Sequence, residues 1–118
     1  MSKVTNTFKY KIRGRIWVET EKGAFLGVGR IELLMKIKES GSITKAAKEM
    51  KMSYRQAWEL IESMNLKSKK PLVFSKTGGK GGGGATLTEA GEKAIAEFTK
   101  LNLAFKKFLL AQSIKFKL

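Results

Sequence analysis

The side chains whose types and spacing could do chemistry cluster between residues 44 and 59, and the chemistry they suit is hydrogen bonding to DNA. The guanidinium of Arg55 can bind guanine through two hydrogen bonds or, in the alternative, contact a phosphate, and only the first role would change sequence preference. Trp58 also has two alternatives, an aromatic contact at the groove or packing against a neighbouring helix or strand. The candidate DNA contacts here are Thr44, Ser53, Tyr54, Arg55, Gln56, Trp58 and Glu59.

A second group of candidates lies in the glycine-rich segment SKTGGKGGGG, where Lys76, Thr77 and Lys80 could reach a phosphate backbone. Glycines let the main chain approach a phosphate closely, and so many in succession give the segment a high conformational entropy. The segment also invites comparison with the nucleotide-binding loop of ATPases. That comparison fails because no Ser or Thr follows Lys80 to bind magnesium.

Composition points to a polyanionic partner and away from enzyme chemistry. The chain of 118 residues has 24 Lys and Arg against 10 Asp and Glu, which gives a formal charge of +14. It has no Cys and no His, so thiolate or imidazole metal sites, disulfides and the commonest general base are excluded. Glu59 and Glu62 are interpreted as surface charges and not as an acid/base pair. We therefore expect no catalytic residues, no metal, no cofactor and a nucleic-acid partner.

The elements that must position these residues are three helices at the centre of the chain. Apolar spacing predicts a first helix from about Arg30 to Glu39, ended by Ser40 and Gly41. A second helix of about two turns follows, capped by Ser42. A brief connection leads to a third helix, Tyr54 to about Leu66, capped by Ser53. The inward residues predicted for the last two helices are Ile43, Ala46, Ala47, Met50, Ala57, Leu60, Ile61 and Met64. Two short helices joined by such a turn form a helix-turn-helix, whose second helix enters the major groove.

Short strands are predicted on both sides of this unit. Strict alternation of apolar and basic residues predicts a half-buried strand running from Phe8 through Tyr10, Ile12 and Ile16 to Val18, which pairs with Ala24–Leu26 to form an N-terminal hairpin. Residues 71–74 and 85–87 are predicted to be the two strands of a wing around the glycine-rich segment. The expected fold class is mainly α with small β, an α+β winged helix-turn-helix.

A final helix, capped by Thr88, carries a long apolar stripe. A stripe of this length at the end of a small domain needs cover, and a twofold partner is the simplest cover. The predicted dimer-interface residues are Ile95, Phe98, Leu101, Phe105, Phe108 and Leu109. We accordingly divide the chain into residues 1–87, the DNA-binding domain with its hairpin, and 88–118, the dimerisation helix and tail.

The length allows one small domain, and no apolar run approaches the roughly 20 residues of a membrane span. The first residues carry scattered charges instead of the apolar core of a secretory signal. We expect a soluble, cytoplasmic, nucleoid-associated protein with no membrane partner.

Two longer stretches closely resemble one family. GSITKAAKEMKMSYRQAWELIESMN and VFSKTGGKGGGGATLTEAGEKAI, with FLGVGRIELLMKI upstream, are similar to the N-terminal DNA-binding domain of ModE, the molybdate-responsive transcriptional regulator. They are more distantly similar to the winged helix of LysR-type regulators. The resemblance covers roughly Gly23 to Leu109. Its specificity lies in the order and spacing of SYRQAW, TGGKGGGGA and LTEAG.

The resemblance implies a homodimer, held largely by the last helix, that binds a palindromic operator in double-stranded DNA. By the same match, Ser53, Tyr54, Arg55 and Trp58 would lie on the recognition helix, and residues 77–80 in the wing. Full-length family members continue into molybdate-binding domains, which this sequence does not contain, so we expect no oxyanion sensing within it. Two alternatives stay open: a stand-alone version whose signal comes from a separate effector-binding protein, or part of a longer chain.

Two other functions are compatible with the residues alone. A nonspecific nucleic-acid or chromosome-binding protein would need only the charge. An adaptor would use the final helix to recruit a protein partner.

Overall fold

The computed structural model describes residues 9–76 and 84–118, which form four helices and four short strands. In chain order these are β1 (Val18–Thr20), β2 (Gly23–Leu26), α1 (Val28–Ser40), α2 (Ile43–Glu49), α3 (Tyr54–Leu66), β3 (Val73–Ser75), β4 (Ala85–Leu87) and α4 (Glu89–Lys115). Strands β1 and β2 pair antiparallel, as do β3 and β4. The predicted class, mainly α with small β, is confirmed.

Three helices begin at the hydroxyl residues that the sequence predicts as caps, Ser42, Ser53 and Thr88. Each side-chain oxygen accepts a hydrogen bond, at 3.0–3.1 Å, from the backbone amide three residues later. These bonds satisfy one of the amides that a helix N-terminus leaves without a partner, each contributing about 1 kcal/mol. The starts of α2, α3 and α4 are therefore fixed by local chemistry.

The core lies where α1, α2 and α3 meet. Leu33, Leu34 and Ile37 of α1 are fully buried, and so is Met64 of α3. Ala46 of α2 and Ala57 of α3 are also fully buried, and their small side chains let the two short helices cross closely. Leu60 and Met50, predicted as inward residues, are partly buried and pack against this core.

The turn between α2 and α3 has the hydrogen bonds of a Schellman motif. The amide of Lys51 bonds the carbonyl of Lys48 at 3.1 Å, and the amide of Met52 bonds that of Ala47 at 3.0 Å. Lys51 takes the left-handed conformation, with φ of 57°. Glycine usually occupies this position because a Cβ strains it.

We expect Lys51→Gly to raise the free energy of unfolding by about 1 kcal/mol, because glycine removes the left-handed strain at an exposed position. Urea unfolding followed by circular dichroism measures the change. Lys48→Gly, inside α2, is the matched control and should destabilise by about 1 kcal/mol. An equal decrease in the free energy of unfolding for both variants would contradict the Schellman geometry.

The N-terminal strand is only partly as predicted. β1 begins at Val18, and residues 9–17 are not part of a strand; Phe8 lies outside the described residues. Ile16 and Val18 pack against the core, but Ile12 lies against α4, where its amide donates to Ser113 Oγ at 2.8 Å. The alternation correctly indicates a half-buried segment. The covering surface, however, is a helix and not a second strand.

Helix α4 gives the molecule an elongated shape. Its first turns pack into the core through Gly91, Ala94 and Phe98, whereas its 27 residues extend for about 40 Å. The radius of gyration is 19.3 Å, against about 13.5 Å for a compact chain of this length. Residues 101–118, called the arm below, project from the core. Within residues 9–76 and 84–118, no helix is both long and apolar enough to cross a membrane.

Candidate nucleic-acid interface

The exposed face of α3 carries the predicted contacts. Ser53, Tyr54, Arg55, Gln56, Trp58 and Glu59 are all exposed, whereas Ala57, Ile61 and Met64 on the same helix are buried. Arg55 and Glu59 stand two residues before and after Ala57, and two residues turn an α-helix by about 200°. They therefore project almost directly away from the core, as a groove-binding helix requires.

Arg55 and Glu59 form an ion pair on this face. The Nε of Arg55 donates to Oε2 of Glu59 at 3.2 Å, and both side chains are largely exposed. An exposed pair one helical turn apart contributes only a few tenths of a kcal/mol, so DNA can replace it at little cost. The bond to Glu59 uses only Nε of Arg55, and the Arg55 side chain is 87% exposed.

Trp58, for which the sequence leaves two alternatives, lies on the exposed side of α3. Its side chain is 43% exposed, and it belongs neither to the core nor to the apolar residues packed against the core. Tyr54, one turn earlier, is exposed as well. The two rings lie on one flank of α3, where they are open to a ligand.

The N-terminus of α3 also favours an anion. Its first turn contains no acidic residue, and the positive end of the helix dipole lies there. Ser53 accepts the cap hydrogen bond with one lone pair of its oxygen, so its hydroxyl proton and a second lone pair stay available to a ligand. Thr44, in the first turn of α2, is exposed.

The wing is described only at its base. Strands β3 and β4 are in register, with Phe74 opposite Thr86, and Lys76 at the end of β3 is exposed. The amide of Lys76 donates to the carbonyl of Gly84 at 2.8 Å, which extends the ladder by one bond. Thr77 and Lys80, the other two predicted wing contacts, lie outside the described residues.

Asn65 joins α3 to the wing and was missed by sequence reasoning. Its Oδ1 accepts from the amides of Leu72 at 2.8 Å and Val73 at 3.2 Å, and its Nδ2 donates to the carbonyl of Val73 at 3.1 Å. One side chain thus satisfies three backbone groups at the start of β3. Asparagine near a helix end is common, so the sequence around Asn65 does not indicate this role.

We expect Asn65→Ala to destabilise the fold by about 2 to 3 kcal/mol, because it leaves three partly buried backbone groups without their partner. Thermal unfolding measures the loss. Asn102→Ala, at a half-buried asparagine of α4 whose side chain makes no hydrogen bond within the described residues, is the control and should change stability by less than about 0.5 kcal/mol. A similar small effect at Asn65 would contradict its bridging role.

Arg30 is a second positioning residue that sequence reasoning missed. Its Nη1 lies 3.2 Å from the carbonyl oxygen of Ala24, 3.3 Å from that of Phe25 and 3.1 Å from Ser63 Oγ. The side chain therefore ties β2 to the outer side of α3. Its place just after Gly27 and Gly29 suggested only a helix start.

The predicted dimer residues divide into three sets. Phe98 is 3% exposed and belongs to the core of its own chain, and Ile95 packs against that core. Phe98 therefore has almost no surface to offer a partner. Phe105 and Leu109 are half-buried under the N-terminal segment, and Leu101 and Phe108 are exposed.

Comparison with protein families identifies the family to which these helices and wing strands belong. The family described as "Bacterial regulatory helix-turn-helix protein, lysR family" matches residues 28–92, which run from the first residue of α1 into the first turn of α4. The chain belongs to this family. The matched region contains the exposed face of α3 and both wing strands.

Individual relatives agree with the predicted resemblance to ModE. The chain is 44% identical over 87 residues to the molybdenum-pterin-binding protein MopB of Rhodobacter capsulatus, which covers 74% of this chain and 32% of that protein. It is 38% identical over 95 residues to the molybdenum transport protein ModE of Azotobacter vinelandii, covering 80% and 35% respectively. To the DNA-binding transcriptional dual regulator ModE of Escherichia coli it is 45% identical over 78 residues, covering 66% and 30%. The chain thus spans about a third of the length of these relatives.

Proposed function

We propose that the chain is a sequence-specific, double-stranded DNA-binding transcriptional regulator of the ModE type. The observation that carries the proposal is the outward face of α3, where Arg55, Gln56 and Glu59 present hydrogen-bonding groups while the helix buries its opposite side. In a helix-turn-helix this face lies in the major groove and reads base edges. Membership of the lysR family supports the same reading.

Charge supports the choice of ligand. The formal charge of +14 favours a polyanion, because each phosphate contact releases counterions. The same charge is the observation that favours the second candidate, a nonspecific nucleic-acid-binding protein. Base readout by α3 distinguishes the two, because a charge-driven protein binds unrelated duplexes equally well.

Selection of bound duplexes from a random pool, at near-physiological salt and with competitor DNA, tests the proposal. We expect a palindrome whose half-sites lie about one helical turn apart, or a multiple of it, as two symmetric recognition helices require. Recovery without any common motif would overturn sequence-specific recognition and leave the nonspecific alternative.

We expect Arg55→Ala to weaken binding to the selected duplex by about 1 to 3 kcal/mol and to relax the preference at one base pair, because the guanidinium can bond guanine through two nitrogens. Affinities for single-base variants of the duplex, measured by fluorescence anisotropy, give both numbers. Lys69→Ala, beyond the end of α3, is the control. Equal weakening on every duplex would make Arg55 a phosphate contact instead.

We further propose a homodimer that forms through one face of α4. Leu101, Ala104, Phe108 and Ala111 follow the 3-4-3 spacing of a coiled-coil stripe, and all four are exposed; this set is called the seam. In an antiparallel pair centred near residue 106, each large seam residue meets a small one. Leu101 then opposes Ala111, and Phe108 opposes Ala104. In the same alignment Glu97 of one copy meets Lys115 of the other.

The remaining parts of the proposal concern the setting in which the protein acts. We expect it to act on the nucleoid in the cytoplasm and to have no catalytic activity. The relatives' names connect those proteins with molybdenum, but those proteins are more than twice as long as this chain. Any effector is therefore expected to bind outside residues 1–118, on a separate protein or region. The division into residues 1–87 and 88–118 stays a prediction.

A further inference from the structure

A large open groove lies between the N-terminal segment and the end of the arm. Its volume is about 1160 Å³, which is above the range of typical small-molecule pockets. Leu110 and Ile114 line it and are 64% and 68% exposed. The rings of Tyr10 and Phe116, which also line it, meet edge to face with their centres 5.1 Å apart. The groove has an apolar floor that is open along its length.

The wall of the groove is fixed to the helix. Besides the bond from the Ile12 amide, Ser113 Oγ donates to the carbonyl of Leu109 at 2.8 Å, so this hydroxyl joins segment and helix. Gly14 lies so close to α4 that an added Cβ would stand 3.2 Å from Cζ of Phe105. The segment therefore holds its place along the arm, and the groove is largely pre-formed.

All charged side chains lining the groove are cationic. They are Lys9, Lys11, Arg13, Lys106 and Lys117. The sequence extends this pattern, because residues 1–18 and 98–118 contain no Asp or Glu. The rim therefore has a strongly positive potential, and an occupant with acidic residues beside an apolar stripe would complement it.

The groove lies on a different side of α4 from the dimer seam. Leu103 and Leu110 each stand two residues after a seam residue, Leu101 and Phe108, and are thus turned about 200° from them. Ile114 is one turn beyond Leu110. A partner helix on the seam would therefore leave the groove uncovered.

We propose that this groove docks an acidic amphipathic helix of another protein. A helix can place apolar residues at i, i+3, i+4 and i+7 on Leu110 and Ile114 while glutamates or aspartates on its flanks meet the cationic rim. The groove follows α4 for about nine residues, or some 14 Å, which fits between two and three turns of such a helix. The proposal goes beyond DNA binding and does not depend on it.

Two other occupants fit the groove less well. A second copy of the chain would bring the same cationic rim against this one, and like charges in close contact are unfavourable. DNA would satisfy the charge, but its phosphates offer no apolar surface to cover Leu110 and Ile114. Of these three occupants, the acidic amphipathic helix is the one that satisfies both features.

The test uses the full chain and a fluorescent peptide of about 14 residues, with leucines at i, i+3, i+4 and i+7 and glutamates elsewhere. We expect saturable binding with one peptide per chain at near-physiological salt, measured by anisotropy. A peptide with lysines in place of the glutamates, and one with a central proline that breaks the helix, should bind at least about tenfold more weakly. Equal binding of all three peptides, or none by the acidic one, would overturn the proposal.

Variants locate the site. The double variant Leu110→Gln/Ile114→Gln should weaken the acidic peptide by about tenfold, and Lys11→Gln/Lys106→Gln by about threefold with a smaller salt dependence. Leu66→Gln, at an apolar residue of similar exposure at the end of α3, is the matched control and should leave peptide binding unchanged. Unchanged binding in both double variants would place the peptide elsewhere and reject the groove.

Mass and DNA affinity, measured on the same proteins, separate the remaining outcomes. The groove variants should have the same particle mass in solution as the parent protein and the same affinity for the selected duplex. Conversion to monomer by Leu110→Gln/Ile114→Gln would assign the groove to a second copy. Loss of duplex affinity without loss of mass would assign it to DNA. Failure of the parent chain to bind any duplex would reject the DNA-binding function while leaving the peptide result valid.

Discussion

We expect Gly91→Ala to lower the free energy of unfolding by about 3 kcal/mol, the largest loss of stability among the substitutions considered. Gly91 is buried in the first turn of α4, and a Cβ there would lie 2.2 Å from the carbonyl oxygen of Leu72. That oxygen belongs to the backbone and already accepts a hydrogen bond from the amide of Thr88 at 2.9 Å. It cannot move away without separating α4 from the wing base.

Gly29→Ala is the matched control for this prediction. Gly29 lies in the first turn of α1, and an added Cβ there meets no atom within 4 Å. Alanine is the better helix former, so this variant should be neutral or more stable by up to about 1 kcal/mol. Urea unfolding of the two variants beside the parent chain measures both effects. Equal changes in the free energy of unfolding for Gly91→Ala and Gly29→Ala would contradict the close approach of α4 to Leu72.

The second large effect is expected at the dimer seam. Leu101→Glu/Phe108→Glu should convert the proposed dimer to a monomer, because carboxylates would replace the two large apolar seam residues. Phe108 is 57% exposed in the single chain, so the change should leave the fold itself nearly intact. Light scattering measures the mass. Affinity for a palindrome should fall by about 100-fold or more, because the two half-sites no longer bind as one unit. Leu103→Glu, on the other side of α4, should stay dimeric.

The chain has no cysteine, so the antiparallel register can be tested by cross-linking. Leu101→Cys/Ala111→Cys should form an intermolecular disulfide, since these positions oppose each other in the antiparallel pair. Within one helix they are about 15 Å apart and cannot bond. Neither single variant should cross-link. Efficient cross-linking of the single variants would indicate a parallel pair instead.

Features that depend on local chemistry were predictable from the sequence. Helix α3 begins after Ser53 and ends at Leu66 as expected, because a hydroxyl cap and an apolar stripe of helical period are readable within a few residues. β4 and the start of α4 follow in the same way from Ala85–Leu87 and Thr88. The exposure of the candidate contacts on α3 follows as well, because fixing its buried stripe also fixes the face that points away from it.

Features that depend on the tertiary neighbour were not predictable. Alternation in residues 9–17 predicts that one side of the segment is covered, as Ile12 and Ile16 are, but it does not distinguish a strand from a helix as the cover. The interior position of Phe98 was not predictable for the same reason, since it also depends on the elements that pack against it. Its place in the stripe of α4 is readable, but the length of α4 that the core occupies depends on how α1 and β4 meet it. Asn65 and Arg30 bond backbone groups of other elements, which no spacing rule reveals.

The bonds that join the wing base to the helices determine how the protein meets its ligand. Asn65 holds β3 to the end of α3, and the amide of Ala85 in β4 donates to the carbonyl of Gly41, at the end of α1, at 3.0 Å. In the proposed complex, α3 and Lys76 would therefore approach a duplex as one rigid body. Docking of α3 would hold the wing base near the phosphates at a high effective concentration, and a contact by Lys76 would add affinity without a second loss of translational freedom.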